Sequence, residues 1–306
     1  MKKRALVLSG GSIKGAFQAG AVQQVLNEGF QPDIIHGISV GSLNGSFMVN
    51  ETGKYNNNFE WKTIGNTLVD FWKKNINRPD DLVKKKGFLK LAKELLFNEF
   101  DGIISNEPLK KLVNRLLTLD NLRKSKVEFT AGAVDMITGK LNYFNQFNPS
   151  LINGIIASTS IPMMMPVANI GGIPFYDGGL RDVAPLKSVI EKGADEIVII
   201  LCQSEELSEK NFDSGKLMHM ASRTMDIVVN ETVNNDIARM QDINDLVPKN
   251  SDMIKRGVFS GKKRISYKII RPEKELTVKI DKFKKRDVEQ MITLGKEAAL
   301  KAEWMD

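Results

Sequence analysis

The segment Gly37-Ile38-Ser39-Val40-Gly41 has the spacing G-x-S-x-G, with Ile34-Ile35-His36, which reads as a buried strand, directly before it and a small-residue stretch through Val49 directly after it. Strand, tight turn and helix form the setting in which the central serine of this pattern serves as a nucleophile. The glycines let the chain turn sharply and leave the hydroxyl exposed, while the helix that follows aims its N-terminal dipole at negative charge developing there. A second loop, Ser9-Gly10-Gly11-Ser12-Ile13-Lys14-Gly15, follows the apolar run of Arg4 to Leu8 and opens a helix predicted over 16–28, so its N–H groups can converge on an anion. That anion is a phosphate or the oxyanion of an acyl-transfer intermediate. Gly15 is followed by Ala16-Phe17, where a nucleotide P-loop needs lysine and a hydroxyl, and no register of the loop supplies G-x-G-x-x-G. The oxyanion therefore gains ground, with a tight turn that binds nothing as the plainer alternative. Asp177-Gly178-Gly179 adds a carboxylate before paired glycines, which alone is a turn-forming combination.

The elements that must position these residues read as α/β. Two strand-loop-helix units in the first fifty residues argue for a parallel sheet covered by helices. Helices laid over the core are predicted from about 59 to 117, and a hairpin of strands over 127–134 and 141–144. A helix is predicted over 150–158, another over 183–192, and a buried strand over 196–202. From Gln203 onward the pattern is less regular, with a Met-bearing helix over about 216–240, a strand over 265–270 and a terminal amphipathic helix around 287–301. No repeat or linker divides the chain, which reads as one domain.

Composition narrows the chemistry. The chain has 306 residues, and its 42% hydrophobic content is enough to build a core, which argues against disorder. Cys202 is the single cysteine, so no internal disulfide or thiolate metal cluster can form and a cytoplasmic setting is expected. The basic start, Met1-Lys2-Lys3-Arg4, precedes too short an apolar run for a signal peptide, and no stretch approaches the roughly 18 apolar residues of a spanning helix. His36 and His219 are the only histidines, which leaves little material for a histidine-built zinc site and two candidates for a histidine base. The formal charge of +7 permits anionic partners. Lys84-Lys85-Lys86, with Phe88 and Leu89 close by, and the Lys282 to Arg286 cluster read as solvated helix faces or as contacts for anionic headgroups. Neither has the aromatic interleaving expected for nucleic acid. Met163-Met164-Met165 and the later Met218, Met220 and Met225 read as core filling, with room for lipid chains as the second reading.

Taken in order, the glycine-rich loop, the G-x-S-x-G serine and the D-G-G aspartate resemble the patatin-like phospholipases. Ala157-Ser158-Thr159-Ser160-Ile161-Pro162 is similar to the family's A-S-x-x-x-P helix end, and Gly102 to Leu109 is similar to its segment ahead of a helix. The resemblance spans about residues 4–202. It implies a mainly parallel sheet sandwiched by helices and a Ser39-Asp177 dyad in place of a triad. It also implies an oxyanion hole from Gly10, Gly11 and Ser12 with Lys14 in support, a lipid ester substrate, and no metal or organic cofactor. Ser12 stands where the family has a third glycine, and Val183-Ala184-Pro185 keeps only the proline of the family's Asn-x-Pro. A protein that keeps the fold and binds lipid without efficient turnover is the rival reading.

Aspartate is a weak base, with an ordinary pKa of about 3.9, so such a dyad requires a direct hydrogen bond in a partly desolvated site. Asp177→Asn is expected to lower hydrolysis of a p-nitrophenyl ester by at least about 100-fold with the fold intact, whereas His219→Gln keeps most of the activity. A folded His219→Gln protein as impaired as Asp177→Asn would restore a triad.

Overall fold

The computed structural model describes residues 2–208, 212, 217–247 and 263–306. An unbroken apolar run, Ala5 to Leu8, makes the first strand, β1 (Arg4–Leu8), two-sided: Leu6 and Leu8 face one core while Ala5 and Val7 face another. A strand buried on both faces needs helices on both, and the chain supplies them. The first half continues with α1 (Gly15–Asn27), β2 (Ile34–Ile38), α2 (Val40–Lys54) and α3 (Trp61–Asn75). An excursion follows through β3 (Lys84–Lys85), α4 (Phe88–Leu96) and β4 (Ile104–Ser105), leading to α5 (Glu107–Leu116) and α6 (Leu119–Lys124). Next come β5 (Glu128–Asp135), β6 (Leu141–Asn145), α7 (Leu151–Ser158), β7 (Ala168–Ile170) and β8 (Ile173–Asp177). The chain then runs through α8 (Leu186–Glu191), β9 (Glu196–Ile200), α9 (Leu217–Leu246), β10 (Ser266–Ile270), α10 (Lys285–Lys301) and β11 (Trp304–Met305).

Among the described residues the strands form a nine-stranded sheet in the order β11-β10-β9-β1-β2-β5-β8-β7, with β6 also paired to β5, and a separate β3-β4 ribbon. The run from β10 to β5 is parallel, while β6, β7, β8 and β11 pair antiparallel. The predicted mainly parallel sheet between helices is therefore what forms. One face buries α1, α2, α3 and α10 over Leu6, Ile35, Phe129 and Val198, and the other buries α8 and α9 over Val7, Ile34, Ile197 and Ile199. The C-terminal helix packs closely on α1: a Cβ on Gly20 would lie 1.9 Å from Ile292 O, and one on Gly295 would lie 1.9 Å from Phe17 O.

Three expectations shift. The helix predicted over 183–192 is confined to α8, because Pro185 favours extended backbone at Ala184 and occupies the cap position itself. The β3-β4 ribbon, two residues per strand, is too short to show periodicity. The region 59–117 does not lie wholly over the core, since α4 buries none of its residues. Among the described residues no helix is long and apolar enough to cross a membrane.

Candidate active site

Register brings the motif residues together. Ile38 of β2 lies beside Gly132 of β5, and Ala133 lies beside Asp177 of β8. One step beyond Ile38, Ser39 comes level with Ala133, so Ser39 and Asp177 flank β5 at roughly 10 Å between backbones, a span two facing side chains can close. Gly178 is needed here because a Cβ would meet Gly132 O at 2.5 Å.

The turn at Ser39 is strained, with φ 54° and ψ −126°. It is held from both sides: the Ser39 N–H donates to Ser158 Oγ at 2.8 Å, and Ser42 Oγ donates to Ser39 O at 2.6 Å. Gly37 and Gly41 let the backbone close on itself, since a Cβ on Gly37 would lie 2.3 Å from the Gly41 backbone and one on Gly41 would lie 2.2 Å from Leu8 O. Ser39 therefore sits at the head of α2, the end at which a helix leaves its first N–H groups without partners of its own.

Asp177 is buried, and burial pushes its carboxyl up to about 6, against the pull of the Ser39 hydroxyl and the Gly179 N–H towards the ionised form. Gly179 N–H donates to Asp177 Oδ1 at 2.8 Å, which fixes the carboxylate at the end of its strand. His36 behaves oppositely. It is fully buried in β2, neither ring nitrogen has a partner among the described residues, and burial holds it down at about 3. Its ring lies 6.3 Å from that of Tyr143, and His219 on α9 lies 5.6 Å from the ring of Phe212.

The loop before α1 is pinned by its surroundings. Ser9 N–H donates to Ile200 O, Gln18 Nε2 to Ser9 O, Cys202 N–H to Ser9 Oγ, and Gln203 Nε2 to Gly10 O. Gly10 N–H donates to Val183 O at 3.0 Å. This differs from the expectation that Gly10 donates to an oxyanion, because that N–H is already engaged; Gly10 instead makes room, a Cβ there lying 3.3 Å from Ser39 Cβ. Among the described residues no acceptor takes the N–H groups of Gly11 and Ser12. Ser12 has φ 55°, and its buried hydroxyl is unpartnered. Lys14 closes the short turn after Ser12 and acts electrostatically on Cys202, whose thiol burial pushes up to about 12.

Ser12 and Ser39 open into a narrow, solvent-open pocket whose other walls are Val40, Leu43, Trp72, Leu82, Leu109, Thr159, Ile161, Met165 and Ile280. Trp72 is oriented by donating to Asn44 Oδ1 at 2.8 Å, and Asn44 in turn donates to Gly15 O and Gln18 Oε1. Sequence reasoning missed Ser42, Asn44 and Gln18, which carry no motif. Ser158 lay within a recognised segment, but its task of receiving the Ser39 N–H did not show.

The family model described as patatin-like phospholipase matches residues 6–190, more than half of the chain. The chain belongs to the patatin-like phospholipase family. It is 27% identical over 199 residues to the uncharacterized protein YjjU of Escherichia coli (strain K12), covering 64% of this chain and 51% of that one. The chain thus spans about half the length of this curated relative. It is also similar to VipD from Legionella pneumophila, at 14% identity and a TM-score of 0.47, over 100% of this chain and 68% of that one. The patatin-like phospholipases are a family of lipid acyl hydrolases, and Ser12 is the departure from their pattern that lies in the glycine-rich loop. Left-handed backbone at a non-glycine residue and an orphaned buried hydroxyl both oppose folding. Ser12→Gly is expected to raise unfolding free energy by about 1 kcal/mol in urea titration, the gain in chain entropy on unfolding offsetting part of the relief. A loss of stability would contradict this account of the hydroxyl.

Proposed function

We propose that the protein hydrolyses fatty-acyl esters of lipids through a serine acyl-enzyme, as a phospholipase A, lysophospholipase or esterase. The observation that carries the reading is the Ser39 hydroxyl set beside a buried Asp177 carboxylate at the wall of an apolar pocket. Ser39 Oγ attacks the ester carbonyl as Asp177 takes its proton. The N–H groups of Gly11 and Ser12 receive the oxyanion, and removing such a donor typically costs on the order of 100- to 1000-fold in rate. Collapse of the intermediate expels the alcohol, which takes up the proton from Asp177. Water then gives a proton to Asp177 and attacks the acyl-enzyme, and collapse of this second intermediate releases the fatty acid as Ser39 Oγ takes the proton back from Asp177. Apolar walls such as Leu43, Leu109 and Met165 suit an acyl chain. Turnover in the cytoplasm without metal or organic cofactor completes the reading.

Burial makes Asp177 a stronger base than an ordinary aspartate, and the base must be ionised to act. With a folded value of about 6 against an ordinary 3.8, the folded protein takes up this proton before the unfolded chain does. The ionised carboxylate therefore opposes folding above pH 6, and that penalty fades as pH falls from 6 towards 3.8. Activity follows the opposite course. kcat/KM on a soluble ester is expected to rise with pH through an apparent pKa of about 6 and to keep that pKa in Asp182→Asn, since burial raises Asp182 to about 6 as well. A pKa that vanishes in Asp182→Asn would assign the titration elsewhere. The direct test of the reading is covalent labelling of Ser39 by a fluorophosphonate together with ester hydrolysis, both absent in Ser39→Ala. Lipid binding by the wild type with neither labelling nor hydrolysis would leave a non-catalytic lipid-binding protein.

A further inference from the structure

Between Leu82 and Leu109, which both line the pocket, the chain leaves the core and returns. Its two arms are tied down: β3 pairs with β4, and the N–H groups of Ile103 and Ile104 donate to Met164 O at 2.9 and 2.8 Å. Between these anchors stands α4, with no buried residue. At 100° per residue Phe88, Leu89, Ala92, Leu95 and Leu96 fall on one side of the helix, with Phe88 83%, Leu89 85% and Leu96 77% exposed. Phe97 and Phe100 prolong the exposed surface. Single exposed leucines are ordinary, but a contiguous stripe of this kind marks an interaction site.

Charge says what covers it. The one acid of α4, Glu94, is drawn inward to Lys86 at 2.9 Å, and the two side chains are only 13% and 6% exposed. Lys90 and Lys93 remain exposed at the polar edge. The ion pair of Lys85 with Asp281, at 3.1 Å, joins this segment to the exposed Lys282, Lys284, Lys285 and Arg286, while Ile280 beside Asp281 lines the pocket. Two lysine-rich clusters far apart in sequence thus meet next to the pocket that holds Ser39, together with an apolar stripe. A helix with aromatic and leucine side chains on one face and lysines at its border has the composition of an interfacial helix, and the added cations match anionic headgroups.

We infer that α4 docks the protein on an anionic lipid surface, with Phe88, Leu89, Leu95 and Leu96 entering the acyl boundary and the exposed Lys84, Lys90 and Lys93, together with the Lys282 to Arg286 cluster, contacting headgroups. For the hydrolase reading this means that the pocket draws its ester from the surface on which the protein rests; the docking itself does not require turnover. Binding is therefore measured with the Ser39→Ala protein, by co-sedimentation with mixed phosphatidylcholine-phosphatidylglycerol vesicles and with pure phosphatidylcholine vesicles. The Ser39→Ala protein should prefer the mixed vesicles and release as salt rises from about 0.05 to 0.5 M. Adding Phe88→Ser, Leu89→Ser and Leu96→Ser should weaken binding at least about tenfold without a change in charge or thermal melting. Lys90→Gln with Lys93→Gln should cost about fivefold per lysine on mixed vesicles only. On a wild-type Ser39 background the apolar triple variant should hydrolyse a soluble ester normally and vesicle lipid slowly. Vesicle binding unchanged by the triple variant, or absent from the Ser39→Ala protein, would overturn the docking helix. A triple variant that dissociates a dimer while keeping vesicle binding would overturn it too, assigning the stripe to a second copy. Failure of the soluble-ester assay alone would defeat the hydrolase reading and leave the docking result standing.

Discussion

Ser39 is held in a left-handed backbone conformation that an L-residue avoids, at a cost of about 1–3 kcal/mol, and the arrangement around it exists to hold it there. The ends of β1 and β2 supply the fixed frame, because Leu8 is in register with Gly37 and a side chain at position 41 would strike Leu8 O. Ser158 and Ser42 then fasten the N–H and the carbonyl of the strained residue. The neighbouring loop is fixed independently by Ser9, Gln18 and Gln203, and the chain from Gln18 through Asn44 to Trp72 extends that rigidity into the pocket wall. Strain at one residue is thus distributed over hydrogen bonds that reach α1, α2, α3 and α7.

Desolvation then sets which group can act as a base. The same physical cause raises buried Asp177 to about 6 and lowers buried His36 to about 3, because in each case it disfavours the charged form. An imidazole three residues from the serine is in this way made a weaker base than a carboxylate arriving from a different strand. A buried carboxylate and an excluded histidine are two outcomes of building the site at the edge of a dense parallel sheet.

Much of this was legible in the chain. The strand-turn-helix context at Ser39, the loop ahead of α1 and the D-G-G segment are local patterns, and apolar runs buried on both faces, such as Glu196 to Ile200, declare a parallel sheet. What was hidden depends on partners distant in sequence. The loop motif could not show that Val183 claims the Gly10 N–H, nor that Ser158 receives that of Ser39. Periodicity in 88–96 showed that α4 has an apolar face but not that the face is turned outward, since the pattern is the same whether a core or a lipid surface covers it. The proximity of residues 84–86 to 282–286 is likewise a product of the fold, made visible by the Lys85–Asp281 pair.

Cys202 sits against the loop so closely that a Cβ on Gly11 would lie 2.2 Å from its own. It is also the chain's single cysteine, wholly buried, and protonated far above neutral pH. Thiol reagents act on the thiolate, so Cys202 is nearly inert to them in the folded protein. A fluorophore or spin label attached to a cysteine introduced on an exposed helix would therefore report from that position alone, with the native sulfur left in place as part of the wall that shapes the loop.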